Sequence, residues 1–179
     1  MEEKLLVMRC KRGSRDALQC IYDKYRDGLL VLAIALCHKE NMAEDAVHDT
    51  FVKFAERIGD FKLTGSLRSY LSVCVVNRVR DLMRRPQRKE VCLDGDCPIE
   101  SQTDEPGSRV IFNEQLQQLA KALALLSLEQ REVIALRIYG QMRFGAIAKS
   151  LGVSVNTIKG RYRYGINKLR SILNSEVER

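Results

Sequence analysis

The sequence predicts an all-α protein: two small helical domains joined by a flexible linker, the C-terminal one with a helix-turn-helix. Apolar residues recur at three- and four-residue steps in both halves of the chain, which is typical of amphipathic helices. Strand-like alternation is absent, and all three prolines fall in the stretch from Pro86 to Pro106, which lacks helical periodicity and spans the junction of the two halves. We therefore expect domains at 1–89 and 108–179 and a linker at 90–107.

Three amphipathic patterns predict the helices of the first domain. The first pattern spans Leu18–Leu36 and the second spans Ala43–Ile58. The third ends near Leu82 and begins after Ser66, which stands at a helix N-cap position behind Gly65. These three helices suffice for a small bundle with its own core.

The linker at 90–107 is acidic as well as proline-containing. It carries six acids and no base, the acids being Glu90, Asp94, Asp96, Glu100, Asp104 and Glu105. After it, one helix is expected over Ile111–Leu126 and another over Leu128–Tyr139. Ser127 and Gln130 form a capping-box pattern at the start of the second of these helices, and Gly140 ends it.

The segment from Arg143 to Leu173 reads as helix, turn, helix. A short apolar face leads to Gly152, which allows the turn, and Ser154 caps the next helix with Thr157 three residues on. The polar face of that helix suits phosphates and base edges of a DNA major groove. The candidate DNA contacts are Ser154, Asn156, Thr157, Lys159, Arg161, Arg163 and Arg143. The alternative for such a face is a solvated cationic surface.

Composition favours a polyanionic partner and argues against an enzyme. The formal net charge is +7, and neither a secretory h-region nor a run of ~20 apolar residues is present, so we expect a cytoplasmic protein without membrane insertion. No phosphate loop, HExxH or plausible Ser/His/Asp set occurs, which predicts no catalytic residues, cofactor or small-molecule substrate.

The six cysteines are interpreted as free thiols, because four of them lie inside helix-like apolar patterns. Cys92 and Cys97 lie in the loop-like stretch, and their spacing does not match the tighter pairs that zinc sites use. The sequence contains only two histidines. We therefore expect no metal site.

Two segments resemble a known family. SLEQREVIALRIYGQMRFGAIAKSLGVSVNTIKGRYRYGINKLR resembles the fourth conserved region of sigma-70-type factors, in particular their extracytoplasmic-function group. AEDAVHDTFVKFAERI and GSLRSYLSVCVVNRVRDLMRR resemble the second region of the same group. The resemblance implies a sigma factor that binds core RNA polymerase, recognises the −10 and −35 elements of promoter DNA and directs initiation at a specific regulon. It also implies a cognate anti-sigma factor.

The resemblance also assigns roles to residues of the first domain. Asp45, His48 and Asp49, which stand at i, i+3 and i+4 of one helix, match positions that dock on the polymerase. For the −10 element it implies a loop at 61–65, an aromatic wedge, an asparagine that holds a flipped-out base, and a basic run. These residues are Phe61, Lys62, Thr64, Tyr70, Asn77, Arg78, Arg80, Arg84 and Arg85.

The chain departs from the family pattern at several positions. His48 stands where the family often has glutamine, and Arg143 replaces the serine or threonine that commonly caps the first helix of the motif. Gly160 and Gly165 lie inside the recognition helix, where glycine costs up to ~1 kcal/mol relative to alanine. The alternative function is a conventional helix-turn-helix regulator that binds duplex DNA without polymerase. The sigma reading adds the hypothesis that the acidic linker passes through an RNA channel of the polymerase.

Overall fold

The computed structural model describes residues 2–84 and 122–177, and every regular element in these two ranges is a helix. The all-α prediction is confirmed. The linker at 90–107 lies outside the described residues, as does the predicted helix at 111–126 apart from its end, where residues 122–124 are helical. The helices are α1 Glu2–Lys11, α2 Arg15–Cys37, α3 Glu40–Glu56, α4 Leu67–Arg84, α5 Leu128–Ile138, α6 Phe144–Leu151 and α7 Val155–Val177.

Helix α1 was not predicted from the sequence pattern. Only Val7 and Cys10 of this helix are buried. A tertiary contact holds its first turn: the Glu3 carboxylate accepts hydrogen bonds from the Tyr25 hydroxyl of α2 and, at 3.0 Å, from the Leu67 amide of α4. Glu3 thus satisfies one of the free amides at the start of α4, while Ser66 lies directly before that helix, as predicted.

Helices α2, α3 and α4 pack into a bundle, to which α1 adds along α2. Ser14 caps α2 by accepting from the Ala17 amide at 3.3 Å, so this helix begins earlier than its apolar pattern. It ends at His38, whose φ of 55° is left-handed and whose amide donates to the Ile34 carbonyl. The bundle core contains the fully buried Ile21, Leu29, Leu36, Phe54, Leu71 and Val75.

Helices α5, α6 and α7 form the second packed unit, and their boundaries follow the predicted signals. The Ser127 side chain accepts from the Gln130 amide while the Gln130 side chain accepts from the Ser127 amide, which confirms the capping box. Gly152 adopts a φ of 69° between α6 and α7, the left-handed conformation for which glycine is favoured.

The two units, α1–α4 and α5–α7, are packed against each other. Val133, Leu136 and Ile147 belong to the same buried apolar cluster as the core of α2–α4, and α5 contacts both α2 and α4. None of the helices in the described ranges is long and apolar enough to cross a membrane. The packing brings the residues predicted to contact two different DNA elements into one neighbourhood.

Candidate nucleic-acid interface

The first turns of α7 present an exposed polar face. Ser154 caps the helix by accepting from the Thr157 amide at 3.1 Å, and the two hydroxyls are 2.9 Å apart. Asn156, Thr157, Lys159 and Arg163 are exposed, whereas Ile158 on the opposite face is fully buried. A rigid helix therefore holds donors and cations outward at its N-terminal end, the geometry that a major groove accepts.

Arg143 stands at the N-cap of α6, is exposed, and makes no side-chain cap hydrogen bond. The helix starts instead on backbone bonds, with the Ile147 amide donating to the Arg143 carbonyl at 3.0 Å. The guanidinium is thus not used as a cap. It remains available to a phosphate, as the sequence suggested.

Tyr70 and Asn77 line a cleft of about 170 Å³ on the N-terminal unit. The Tyr70 ring packs on Phe61 with centroids 4.7 Å apart, and Phe61 packs edge-on against Phe54 at 5.2 Å. Burial and the neighbouring Cys74 thiol raise the pKa of Tyr70 to about 12, so its hydroxyl stays protonated. Lys62 and Thr64 are exposed in the adjoining loop. A cleft with an aromatic wall and an exposed amide suits an unstacked base.

Helix α3 adds charge to this cleft that the sequence analysis did not assign. Lys53 and Arg57 line the cleft together with Thr50 and Phe54. These four positions are spaced i, i+3, i+4 and i+7, so they share one helix face. This spacing is the sequence feature from which the four residues could have been assigned to one surface. It places two cations where a nucleic-acid backbone would pass.

The predicted polymerase-docking residues divide between two environments. Asp45 and His48 are exposed on α3. Asp49 instead turns toward α4, where its carboxylate accepts from Nε of Arg78 at 2.7 Å and pairs with a second guanidinium nitrogen. Arg78 lines the aromatic cleft. Asp49 is therefore engaged within the unit, in contrast to its two predicted companions.

Arg80 forms an ion pair with Glu132, a residue of the α5–α7 unit. Its guanidinium donates to both carboxylate oxygens of Glu132 on α5, and the Glu132 side chain is 1% exposed. Arg80, Arg84 and Arg161 line one cleft of about 540 Å³ where α4 faces α5 and α7. Predicted −10 and −35 contacts thus meet at one place. Arg85 lies outside the described residues.

Sequence reasoning gave Glu132 no role. Leu128, Glu132 and Leu136 are spaced by four residues, so the carboxylate falls on the apolar stripe of α5. A charge on such a stripe needs a partner, because an unpaired buried carboxylate is strongly disfavoured. That rule was sufficient to single out Glu132, but not to identify Arg80 as its partner.

Four cysteines lie in the described ranges, and all are free thiols, as predicted. Cys10 and Cys37 are buried, and burial raises the pKa of both thiols. Cys20 is exposed, although it lies inside a helix-like apolar pattern. Within the described part of the chain, no group of three or more His, Cys, Asp or Glu side chains could hold a metal ion.

Two family models match the chain. Residues 21–89 match Sigma-70 region 2, and residues 116–169 match Sigma-70, region 4. Among curated proteins, the ECF RNA polymerase sigma factor SigL of Mycobacterium tuberculosis is 30% identical over 161 residues, which are 87% of this chain and 88% of that protein. The RNA polymerase sigma factor CnrH of Cupriavidus metallidurans is 26% identical over 99% of this chain and 97% of its own length.

Solved structures show the same fold. CnrH, in complex with the cytosolic domain of CnrY, superposes with a TM-score of 0.70 at 24% identity, covering 98% of this chain and 99% of that one. RpoE of Bartonella quintana, in complex with the anti-sigma factor NepR, superposes with a TM-score of 0.59 at 28% identity, covering 86% and 98% respectively.

Proposed function

Because the chain belongs to the extracytoplasmic-function group of the sigma-70 family, we propose that α4 and the preceding loop read the −10 element while α7 reads the −35 element. A sigma factor binds core RNA polymerase and directs it to promoters; it is an initiation factor rather than an enzyme. The region 2 match over residues 21–89 removes the conventional-regulator alternative, since such a regulator has no reason to carry that region.

The observation that carries the −10 assignment is the cleft beside α4. Melting a duplex without a nucleotide cofactor requires new contacts to offset the few kcal/mol lost on unpairing and unstacking. Tyr70, whose ring packs on Phe61, lines the cleft and offers stacking, Asn77 offers an amide to a base edge, and Lys53 and Arg57 offer charge to the backbone. A base drawn out of the stack would be stabilised by all three.

The −35 assignment is supported by the exposed N-terminal face of α7. Asn156 and Thr157 can reach base edges, while Lys159, Arg163 and Arg143 suit phosphates on either side of the groove. Arg161 would join them once it leaves the cleft that it now shares with Arg80 and Arg84.

Polymerase docking is assigned to the exposed part of α3, at Asp45 and His48. Because the proposed partners, core polymerase and promoter DNA, lie in the cytoplasm, we expect the protein to act there. A cognate anti-sigma factor completes the proposal, because two sigma factors of similar fold have been solved in complex with CnrY and NepR. The passage of residues 90–107 through the polymerase is part of the same hypothesis, and replacing their acids with serine is expected to reduce initiation while sparing core binding.

Run-off transcription with purified core polymerase and a promoter library tests the proposal. Start sites that appear only when this protein is added, and that share two motifs at fixed spacing, are expected. Absence of protein-dependent initiation would contradict it.

A variant pair then tests the cleft. Asn77→Ala is expected to lower open-complex formation at saturating holoenzyme, read from the fluorescence of 2-aminopurine in the −10 element. Asn174→Ala removes an exposed helical asparagine at the far end of α7 and serves as the matched control. Equal melting by the two variants would remove Asn77 from the proposed site.

A further inference from the structure

Gly160 lies on the exposed face of α7, where the protein itself gives no reason for a glycine. A Cβ added there would meet no atom within 4 Å in the described part of the chain beyond the adjoining backbone of α7 itself. Glycine in a helix interior is less favourable than alanine. At Gly165 of the same helix the missing Cβ makes room for the side chain of Ile134. At Gly160 the unfavourable residue instead points to close approach by a partner outside the chain.

The side chains around Gly160 form the rim of a shallow notch. Residues three and four positions away are the neighbours on a helix surface, and for Gly160 these are Asn156, Thr157, Arg163 and Tyr164. All four are exposed, Tyr164 to 62%. The Arg163 guanidinium lies 5.3 Å from the centre of the Tyr164 ring. The notch is therefore open to solvent, with polar side chains before it and an aromatic ring beside a cation after it.

Charge identifies the class of partner that the notch faces. Helix α7 carries five cations and, before residue 176, no acid. Lys159 and Arg163 are exposed next to Gly160. Such a face attracts a polyanion, which in the proposed function is the duplex of the −35 element. A helix in the major groove brings the centre of its exposed face closest to the base edges, and Gly160 lies at that centre.

The floor of the notch is apolar. The amide and the carbonyl of Gly160 lie inside α7, where helical hydrogen bonds use such groups, so the floor offers the hydrogen atoms of Cα. A polar base edge pressed against it would lose water without gaining a hydrogen bond. The apolar group that identifies a base in the major groove is the 5-methyl group of thymine. A notch of the depth of one Cβ, next to the ring of Tyr164, matches that group in size and chemistry.

We propose that Gly160 is a specificity-determining residue of α7, and that its notch receives the 5-methyl group of a thymine in the −35 element. Asn156, one turn earlier on the same face, offers its amide to the edge of a neighbouring base. The inference rests on the proposed function, because it names one base within the element that α7 is proposed to read.

The first part of the test removes the methyl group from the DNA. Holoenzyme is assembled from core polymerase and the full chain, and the promoter is the one selected from the run-off library. Each thymine of its −35 element is replaced in turn by deoxyuridine, which lacks only the 5-methyl group, and fluorescence anisotropy measures the affinity. One replacement should weaken binding by the wild type about fourfold, equivalent to the ~0.8 kcal/mol of one buried carbon. An element without thymine, or without a responsive thymine, overturns the proposal.

The second part places a methyl group on the protein instead. Gly160→Ala should bind the thymine promoter roughly fivefold more weakly than the wild type, because two methyl groups then compete for one space. With deoxyuridine at the responsive position, its affinity should return to within about twofold of that of the wild type with thymine. Unfolding does not explain a loss that one DNA substitution reverses. Gly145→Ala is the control on α6, where an added Cβ also meets nothing within 4 Å in the described part of the chain, and it should keep the wild-type preference for thymine.

The outcomes separate this inference from the proposed function. Equal weakening of Gly160→Ala on thymine and deoxyuridine promoters would mean that the sugar–phosphate backbone approaches Gly160, and would overturn the recognition of thymine. Unchanged affinity of Gly160→Ala for every promoter would overturn the close approach. In both cases the wild type still directs initiation, so the proposed function stands. Absence of any protein-dependent initiation would refute the function, and this inference with it.

Discussion

Asp49 links two faces of the N-terminal unit. It lies one turn beyond Asp45 on α3, the helix proposed to dock on the polymerase, yet its carboxylate holds the Arg78 guanidinium at the cleft that Tyr70 and Asn77 line. The Arg78 side chain is 16% exposed and that of Asp49 is 36% exposed. An ion pair in this position fixes the direction of the guanidinium more than it stabilises the fold, because partly exposed pairs contribute little free energy.

Asp49→Asn is therefore expected to impair promoter opening more than polymerase binding. Loss of a charge-assisted hydrogen bond to Arg78 should lower open-complex formation at saturating core polymerase by roughly tenfold, equivalent to about 1.4 kcal/mol. Asp45→Asn should instead weaken the affinity for core polymerase. A fluorescence titration of core and a melting assay at saturation distinguish the two effects. If Asp49→Asn behaves like Asp45→Asn in both assays, Asp49 is a docking residue, as the family resemblance implied.

Glu3 provides a stability prediction with a defined pH range. Burial opposes its ionisation, but the hydrogen bonds from Tyr25 and Leu67, together with the nearby cations Lys24 and Arg68, outweigh that effect and lower the pKa of Glu3 below its ordinary 4.5. A lowered carboxyl pKa contributes stability above about pH 4.5 that is lost as the pH falls through the folded-state pKa. Glu3→Gln should reduce the free energy of unfolding at pH 7 by about 1–3 kcal/mol.

Urea unfolding followed by circular dichroism measures this difference. The gap between wild type and Glu3→Gln should narrow as the pH falls below 4.5 and through the folded-state pKa of Glu3, since the wild-type carboxylate then becomes protonated. Glu2→Gln is the control, because among the described residues Glu2 makes an exposed pair with Lys24 and no other ion pair. A gap that does not depend on pH would mean that Glu3 acts through packing rather than charge.

At the scale of single helices, α7 serves two purposes along its length. Its N-terminal turns are exposed, whereas Gly165 is buried against α5, where an added Cβ would lie 2.8 Å from Cδ1 of Ile134 and 3.4 Å from Cβ of Gln130. Gly165 thus allows close approach of two helices. At Gly160, by contrast, an added Cβ would meet no atom within 4 Å in the described part of the chain beyond the adjoining backbone of α7 itself. The two glycines of this helix have different physical explanations.

Gly160→Ala and Gly165→Ala should therefore differ in stability. Alanine at 160 gains helix propensity without a steric cost and should stabilise the protein by up to ~1 kcal/mol. Alanine at 165 makes the same gain but must displace the end of the Ile134 side chain, so the net stabilisation should be smaller or reversed. Thermal unfolding of the two variants measures the difference. Equal shifts in Tm would show that α5 and α7 are not closely packed at this point.

At the scale of the whole molecule, local signals were predictable and contacts between distant segments were not. The capping box at Ser127 and the turn at Gly152 involve neighbours in sequence, and both are confirmed. Helix α1 was missed because its four consecutive apolar residues, 5–8, show no clear period and because Glu3 binds partners 22 and 64 residues away.

The same distinction applies to the candidate site. The exposed face of α7 follows from its own periodicity, so its residues could be selected from sequence. The packing of the α1–α4 unit against the α5–α7 unit depends on the contacts of Arg80 with Glu132 and of Tyr139 with Gly28. The members of these two pairs are 52 and 111 residues apart in the sequence. Each unit has a complete apolar pattern of its own, and such patterns do not specify how two finished bundles dock.

His38 makes the packing of the α1–α4 unit against the α5–α7 unit depend on pH. Its ring contacts the Arg131 guanidinium across the interface, and burial together with that cation lowers the pKa of His38 below its ordinary 6.5. His38 binds a proton more readily when the two units are apart than when they are packed together. The packing of the units is therefore most stable above about pH 6.5 and loses stability as the pH falls below that value. Cys37 and Lys39 adjoin His38 on its own side, and Glu129 and Glu132 lie near Arg131 on the other. The pKa of Glu129 is lowered below 4.5, so Glu129 does not titrate in this range.

Scattering at pH 7.5 and pH 5.5 tests this dependence. The radius of gyration of the wild type should increase on acidification, because a protonated imidazole facing Arg131 separates the units. In His38→Asn the radius should be the same at both pH values; asparagine tolerates the φ of 55° at this position and carries no titrating group. His48, the other histidine, is exposed on α3 and is retained in both proteins. An equal increase in the radius of wild type and variant would assign the effect to other groups and leave His38 without a role in the packing of the two units.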